Sequence, residues 1–216
     1  LTHIRKTIAA NMVRSKKEIP HAWMTIEVDV TDLVRLRNQV KKDFLEREGY
    51  PLTYFAFFIK AVAQALKEYP QLNSTWGEQK IIQHQEVNIS IAVAKENDLF
   101  VPVIKRADEK SIKRIAKDIY ELAQKVRSGQ LTTDDIEGGT FTVNNTGTFG
   151  SIHSMGIINY PQAAILQVES IVKRPVVIND MIAIRDMVNL CLSFDHRILD
   201  GLVCGRFLAR VKDILE

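Results

Sequence analysis

Apolar residues recur along the chain at two spacings, which separate predicted helices from predicted strands. Five segments place apolar side chains three or four residues apart, the period of a helix with one buried face. They carry Ile4, Ile8 and Met12; Leu33, Leu36, Val40 and Phe44; Phe55, Phe58, Ile59, Val62 and Leu66; Ile112, Ile115, Ile119, Leu122 and Val126; and Phe207, Leu208, Val211 and Leu215. Thr31 or Asp32 and Thr53 are predicted to cap two of these helices, and the helix with Ile112 is predicted to run from Ser111.

Other segments alternate between apolar and polar residues or form short apolar runs, both typical of strands. The predicted strands cover residues 23–30, 87–94, 100–104, 140–145, 163–169, 171–177 and 187–194, with a turn at 95–98 joining the second and third. Helices and strands do not alternate regularly. This order predicts an α/β fold with a mixed sheet and packed helices, and not a doubly wound parallel sheet. No composition break divides the chain, so residues 1–216 are predicted to form one domain.

Composition narrows the function mainly by exclusion. The 216 residues are 46% hydrophobic and 25% charged, with a net charge of +3 spread along the chain, which argues against nucleic-acid binding. No segment has the length of a membrane span or the pattern of a signal peptide, which favours a cytoplasmic protein. Cys191 and Cys204 lack metal-ligand spacing and are predicted to be buried thiols, and no metal site is expected. The abrupt, already amphipathic start at Leu1 suggests a piece of a longer protein.

One histidine stands apart from the other four. His3, His84 and His153 lie among polar residues and are expected to be exposed, and His21 beside Pro20 is expected to be structural. His196 instead follows an apolar strand and opens the segment His–Arg–Ile–Leu–Asp–Gly. A histidine of near-neutral pKa at the edge of a core can serve as a general base, although a hydrogen-bonded structural role is the alternative.

A second candidate segment is the glycine-rich run over residues 138–150. Period two places Thr142, Asn144 and Thr146 on one face of its strand, and short polar side chains beside glycines leave room for a ligand. A polar edge strand next to a turn is the equally plausible reading of this run.

The order and spacing of several motifs resemble the catalytic domain of the dihydrolipoamide acyltransferases of 2-oxo-acid dehydrogenase complexes. His196 to Gly201 has the form HxxxDG, which also looks like the motif of chloramphenicol acetyltransferase. The resemblance covers nearly the whole chain and includes Met12, Ser15, Pro20–His21, Leu52–Thr53, the Pro–Gln–Leu–Asn run at 70–73, residues 99–104 and the Gly–Gly–Thr–Phe–Thr run at 138–142. Residues 139–159 and 163–175 look most like the branched-chain members of Gram-positive bacteria.

The resemblance implies a chloramphenicol-acetyltransferase-like sandwich that forms homotrimers, with each active site between two subunits. Trimers would assemble into a hollow 24-mer or 60-mer core. It implies that His196 deprotonates the thiol of coenzyme A, which then attacks an acyl-dihydrolipoyl thioester, and that Asp200 organises the loop through an ion pair, with Arg5 as the suggested partner. Coenzyme A contacts fall at positions matching Arg37, Thr53, Gln124, Asn144, Asn145 and Ser170.

One position departs from the family pattern. Most relatives carry Ser or Thr where Asn144 stands, and their hydroxyl donates to the oxyanion of the tetrahedral intermediate. The amide of Asn144 also offers donors, so Asn144 is the predicted oxyanion residue, with Thr146, Thr142 or backbone amides as alternatives.

The resemblance also predicts what lies outside these residues. The lipoyl group would be carried on an absent lipoyl domain. The 2-oxo-acid decarboxylase and dihydrolipoamide dehydrogenase components would bind through an absent peripheral-subunit-binding domain. Two rival functions remain: a free-standing O-acetyltransferase like chloramphenicol acetyltransferase, and a non-catalytic assembly core.

Overall fold

A mixed seven-stranded sheet forms the centre of the computed structural model, which describes residues 3–95 and 98–216. The strands are β1 (His21–Asp29), β2 (Ser74–Gly77), β3 (Lys80–Gln83), β4 (Ile89–Ile91), β5 (Val93–Lys95), β6 (Asp98–Phe100), β7 (Val103–Ile104), β8 (Phe141–Asn145), β9 (Ala164–Val168), β10 (Val172–Ile178) and β11 (Met181–Asp195). The helices are α1 (His3–Glu18), α2 (Thr31–Glu48), α3 (Tyr54–Glu68), α4 (Ile112–Ser128), α5 (Thr133–Ile136) and α6 (Gly201–Leu215).

The main sheet has the order β1-β11-β9-β8-β4-β7, with β10 paired to the first half of β11. Strand β8 runs parallel to β4 and β9, whereas the other pairs are antiparallel. The predicted mixed sheet is therefore confirmed. Strands β2–β3 and β5–β6 form two separate hairpins.

One face of the sheet is apolar and packs against α3 and α6, which also contact each other. Alternation along the strands supplies this face, and the 3.6-residue period supplies the buried side of each helix. The largest fully buried side chains include Phe58 of α3, Phe141 of β8 and Phe207 of α6. The opposite face is polar, and it includes the buried side chains of Thr142, Gln162, Gln167, Glu169, Ser193 and Asp195.

The structure corrects several predicted strands. The strand expected over 87–94 is divided between β4 and β5, which lie in different sheets, and 100–104 is divided between β6 and β7. Of the turn at 95–98, Glu96 and Asn97 lie outside the described residues. Strand β11 begins at Met181, earlier than expected, because its first half forms an exposed hairpin with β10 and has no buried face to mark it. The β2–β3 hairpin and α5 were not predicted.

Two helix caps also differ from expectation. Ser111 caps α4, because its side chain accepts a hydrogen bond from the Arg114 amide; the sequence pattern predicted only the start of the helix there. Thr53 occupies the cap position of α3, but its side chain makes no capping bond. At α2 the cap position is Val30, and Thr31 instead donates to Asp29 and accepts from the Asp186 amide. Thr31 therefore joins α2 to the sheet.

Candidate active site

His196 lies directly after β11, the second strand in the order of the main sheet. Strand β11 ends at Asp195, and the His196 amide donates to the Pro20 carbonyl at 3.0 Å. The imidazole is exposed in the single chain and lies against Phe194, with ring centroids 5.7 Å apart. The fold thus fixes the backbone of His196 and leaves its ring accessible to a substrate.

The residues on either side of His196 anchor the turn. Asp195 is 1% exposed and receives two hydrogen bonds from Arg197, at 3.0 Å from Nε and 2.7 Å from Nη2. The guanidinium also lies 5.0 Å from the ring centroid of Trp76, on the β2–β3 hairpin. This contact was not predicted, because no sequence pattern connects a hairpin at 74–83 with a turn more than a hundred residues later.

Asp200 is positioned by helix α6 and not by a described ion pair. Its carboxylate accepts hydrogen bonds from the amides of Leu202 at 2.9 Å and Val203 at 3.0 Å, as an N-terminal cap. The suggested partner Arg5 pairs with Asp98 at 3.3 Å, and no Arg5–Asp200 pair occurs among the described residues of this chain. Asp200 thus caps the helix that follows the His196 turn through backbone amides, and its role in organising the loop stays a prediction.

On strand β8, the neighbours of Asn144 on its face are already engaged. The hydroxyl of Thr142 donates to Gln162 at 2.5 Å, and that of Thr146 donates to Glu169 at 2.7 Å. Asn144 is half-buried, and none of the side-chain hydrogen bonds of the described residues involves its amide. Both threonine hydroxyls are thus bonded within the chain, whereas the Asn144 side chain is available to a ligand.

Glu169 is a site residue that sequence reasoning missed. It is 2% exposed, and it accepts hydrogen bonds from Thr146 and Ser154. Burial raises the pKa of Glu169, but hydrogen bonds from Ser151, Ser154 and Thr146 outweigh that effect and hold the pKa below its ordinary value. The carboxylate therefore stays charged and binds the loop after Asn144 to the end of β9. In the sequence, Glu169 is marked only as a single acidic residue directly after an apolar strand.

Of the five predicted coenzyme A residues other than Asn144, two line one cavity of about 210 Å³. Asn145 and Ser170 line it together with Tyr54, Phe55, Phe58 and Ile171. Arg37 lies 4.7 Å from the Tyr54 ring centroid, and its Nε donates to Leu52 at 2.9 Å. Thr53 precedes Tyr54, and its buried hydroxyl has no partner among the described residues. Gln124 is exposed on α4 and does not line this cavity.

Asn144 and His196 do not meet within one chain. The register places Asn144 beside Gln167, and Gln167 beside Cys191, two strands away. His196 lies five residues beyond Cys191. With strands about 4.8 Å apart and about 3.3 Å per residue, the two Cα atoms are roughly 19 Å apart. Their side chains cannot span this separation, so the two candidate residues of one chain lie apart, as two separate candidate half-sites.

The remaining histidines and the cysteines do not form a further site. Cys191 and Cys204 are buried as predicted, and burial raises the pKa of Cys204 to about 12. His153 is exposed, as expected, whereas His84 is half-buried and bonded to Thr75 at 2.8 Å, contrary to expectation. The side chain of His3 lies outside the described residues. Within residues 3–95 and 98–216 no metal-binding cluster and no membrane-spanning helix is found.

Comparison with solved structures places this fold. Chloramphenicol acetyltransferase superimposes with a TM-score of 0.58 at 12% identity, covering 96% of this chain and 94% of that one, which confirms the predicted sandwich. A probable dihydrolipoamide acetyltransferase from Listeria monocytogenes gives a TM-score of 0.99 at 69% identity, covering 100% and 92%. The dihydrolipoamide acetyltransferase of Azotobacter vinelandii gives 0.96 at 35% identity, covering 100% and 89%.

The sequence comparisons agree with the structural ones. The model of the 2-oxoacid dehydrogenases acyltransferase (catalytic domain) family matches residues 1–216, and the chain belongs to this family. It is 72% identical over 217 residues to the lipoamide acyltransferase component of the branched-chain alpha-keto acid dehydrogenase complex of Bacillus subtilis, covering 100% of this chain and 51% of that protein. The chain spans about half the length of the curated relatives it matches.

Proposed function

We propose that this chain is the acyltransferase core of a branched-chain 2-oxo-acid dehydrogenase complex. It would move a branched acyl group, of the 2-methylpropanoyl type, between dihydrolipoyl-lysine and coenzyme A. The observation that carries the proposal is the exposed His196 at the end of β11, in a chain of this acyltransferase family. The branched-chain assignment is supported by the 72% identity to the Bacillus subtilis component.

In the proposed mechanism, His196 is the general base. Its imidazole takes the proton of the coenzyme A thiol, because an unperturbed thiol is mostly protonated at neutral pH. The sulfur then attacks the thioester carbonyl, and the amide of Asn144 donates to the oxyanion that forms. When the dihydrolipoyl sulfur leaves, His196 returns the proton to it. Asp200 holds the loop through the start of α6.

The Azotobacter vinelandii enzyme supports this assignment by spacing. The published study of its catalytic mechanism concerns a serine, a histidine 52 residues later and an asparagine four residues after that. Asn144, His196 and Asp200 have the same spacing in this chain. Asn144 thus corresponds to that serine, and Asp200 to that asparagine.

The separation of about 19 Å between the two half-sites supports a shared active site. His196 of one subunit would act with Asn144 of its neighbour, and a closed homotrimer gives every half-site a partner. The β10–β11 hairpin exposes apolar residues that a second copy would cover, namely Val177, Met181, Ile182 and Ile184 at 67–81% exposure. Trimers would then form a 24-mer or 60-mer core. A related structure is titled as the cubic core of the pyruvate dehydrogenase complex.

The cavity beside Tyr54 fits part of coenzyme A. Apolar rings suit the pantetheine arm, and Ser170 and the Asn145 amide offer polar contacts. Thr53 precedes Tyr54, and its role in binding rests on the resemblance. Arg37 lies at the rim on Tyr54, where it suits a phosphate. The role of Gln124 rests on the resemblance alone.

The larger assembly follows from the same family. Residues 1–216 would be one catalytic domain of a longer cytoplasmic protein. Its lipoyl group would sit on a separate lipoyl domain, and a peripheral-subunit-binding domain would recruit the decarboxylase and dihydrolipoamide dehydrogenase components.

Turnover with three acyl donors tests this function. The purified chain is assayed with isobutyryl-, acetyl- and succinyl-CoA and free dihydrolipoamide, with chloramphenicol as the control acceptor. We expect the highest kcat/KM with isobutyryl-CoA, because one or two methylenes in an apolar pocket change kcat/KM by roughly 10–200-fold. A preference for succinyl-CoA contradicts the branched-chain assignment. Chloramphenicol acetylation, or an intact oligomer without turnover, contradicts the proposal itself.

A further inference from the structure

His21 joins two elements near the catalytic turn through both of its ring nitrogens. Nδ1 lies 2.8 Å from the Ile19 carbonyl, and Nε2 lies 3.1 Å from the Ile158 amide nitrogen. A carbonyl can only accept and an amide N–H can only donate. The ring is therefore neutral, with its proton on Nδ1 and a lone pair on Nε2 facing Ile158.

Both backbone polar groups of Ile158 are hydrogen-bonded, one to a residue of α1 and the other to the first residue of β1. Its carbonyl accepts from the buried hydroxyl of Ser15, while its amide donates to His21. The Ile158 side chain is fully buried with Ile19 and Ile165. Nearby, Tyr160 accepts a hydrogen bond of 2.7 Å from Arg14. These contacts fasten residues 151–162, which we call the strap, across the polar face of the sheet.

The same junction holds the catalytic turn. His21 pairs with Asp195 in the β1–β11 register, and Pro20 accepts the hydrogen bond of the His196 amide. At its other end the strap is tied to Ser170 after β9, whose amide donates to the Ser151 carbonyl and whose hydroxyl donates to Gly147 in the loop after Asn144. A change at His21 therefore reaches both the strap and the backbone that carries His196.

We propose that neutral His21 is a positioning residue that fastens the strap beside the His196 turn and releases it on protonation. The inference rests on the proposed role of His196. A protonated ring would direct an Nε2–H against the N–H of Ile158, and the buried amide would lose its acceptor.

The surroundings of His21 favour its neutral form. Burial lowers the pKa of His21, and the nearby charge of Lys16 lowers it further. The Ile19 carbonyl and Asp195, itself paired with Arg197, raise it by less. The folded pKa thus lies below the ordinary value of 6.5. The bond to Ile158 is present at neutral pH, and its contribution is lost as the pH falls below the ordinary value toward the folded one.

Hydrogen exchange of the strap, read by mass spectrometry and corrected for intrinsic rates, tests this inference without relying on acyl transfer. His21→Gln keeps an acceptor near the Nε2 position but cannot titrate, His21→Phe removes it, and His84→Gln is the matched control at another half-buried histidine. Wild type and His84→Gln should lose strap protection between pH 7.5 and pH 5.0. His21→Gln should stay protected, and His21→Phe should be unprotected at both.

Activity gives a second readout at pH 7.5. His21→Phe should lower kcat by roughly 10–100-fold through misplacement of His196, with KM for coenzyme A within about twofold, and His21→Gln should restore most of kcat. Acid loss of protection in His21→Gln equal to that of wild type overturns the proposal, even if His21→Phe fails to fold. Full strap protection in a folded His21→Phe also overturns it. An inactive protein with the expected exchange pattern would reject only the proposed function.

Discussion

Thr142 and Asn144 share one face of β8, and Thr146 follows the end of the strand, but only Asn144 is available to a ligand. Thr142 is bonded to Gln162, and Thr146 is bonded to Glu169. Using either hydroxyl for catalysis would break a contact with a buried partner. Asn144 can donate without breaking a hydrogen bond within the part of the chain that the structure describes. Among the oxyanion donors that the sequence left open, the structure therefore favours Asn144.

Replacing Asn144 should therefore affect the transition state more than binding. Asn144→Ala should lower kcat by about 10²–10³-fold, the usual effect of losing one oxyanion donor, with little change in KM for coenzyme A. Asn144→Ser should recover part of kcat, because a hydroxyl can donate from a similar position. Steady-state kinetics with dihydrolipoamide measure both. A loss below about fivefold in Asn144→Ala, with a larger loss in Thr146→Val, would move the role to Thr146.

At the scale of elements, α6 determines the geometry that follows His196. The helix buries Phe207, Leu208 and Val211 in the core, and its first amides are bonded to Asp200. The turn from His196 to Asp200 is thus fixed at one end by β11 and at the other by α6. Core packing fixes α6, and the Asp200 cap holds the loop after His196 against the first turn of that helix.

The cap predicts different outcomes for two substitutions of Asp200. Asp200→Ala should lower the free energy of unfolding by about 0.5–2 kcal/mol, since two amides at the start of α6 lose their acceptor. It should also lower kcat, because the loop after His196 loses its anchor. Asp200→Asn keeps an oxygen acceptor and should retain most of both. Denaturant unfolding and kinetics on the same preparations test this, and equal losses in the two variants would point to the charge instead of the cap.

At the scale of the whole molecule, the distance between the two candidate half-sites bears most directly on how the chain would assemble. Each chain carries His196 on one side and Asn144 on another, at roughly 19 Å along the sheet. If the proposed function holds, a single chain has both residues but cannot bring them together on one substrate. Assembly through apolar surfaces such as the β10–β11 hairpin would complete the site.

Subunit mixing tests this arrangement. His196→Ala and Asn144→Ala chains should each be nearly inactive, since a general base contributes about 10²–10⁴-fold. Mixed trimers should regain activity, because some interfaces then pair an intact His196 with an intact Asn144. Exchange is verified by native mass spectrometry, with His196→Ala mixed with itself as the control. Verified mixed trimers without recovered activity would argue for a site within one chain.

The sequence by itself determined the local elements and the chemistry of the key residues. Helical spacing located α3, α4 and α6, alternation located β1 and β8, and the HxxxDG motif singled out His196 and Asp200. These signals are local, because the period of an element and the identity of a side chain belong to a few consecutive residues.

Only the tertiary structure decided how these elements meet. It placed residues 87–94 in two different sheets, and it paired Asp200 with backbone amides. It bonded Thr146 to Glu169 and set Asn144 apart from His196. It also brought Trp76 to Arg197, and Ile158 to His21. Each of these contacts joins segments whose pairing depends on sheet order and register, which the packing of the whole core fixes and no local pattern encodes.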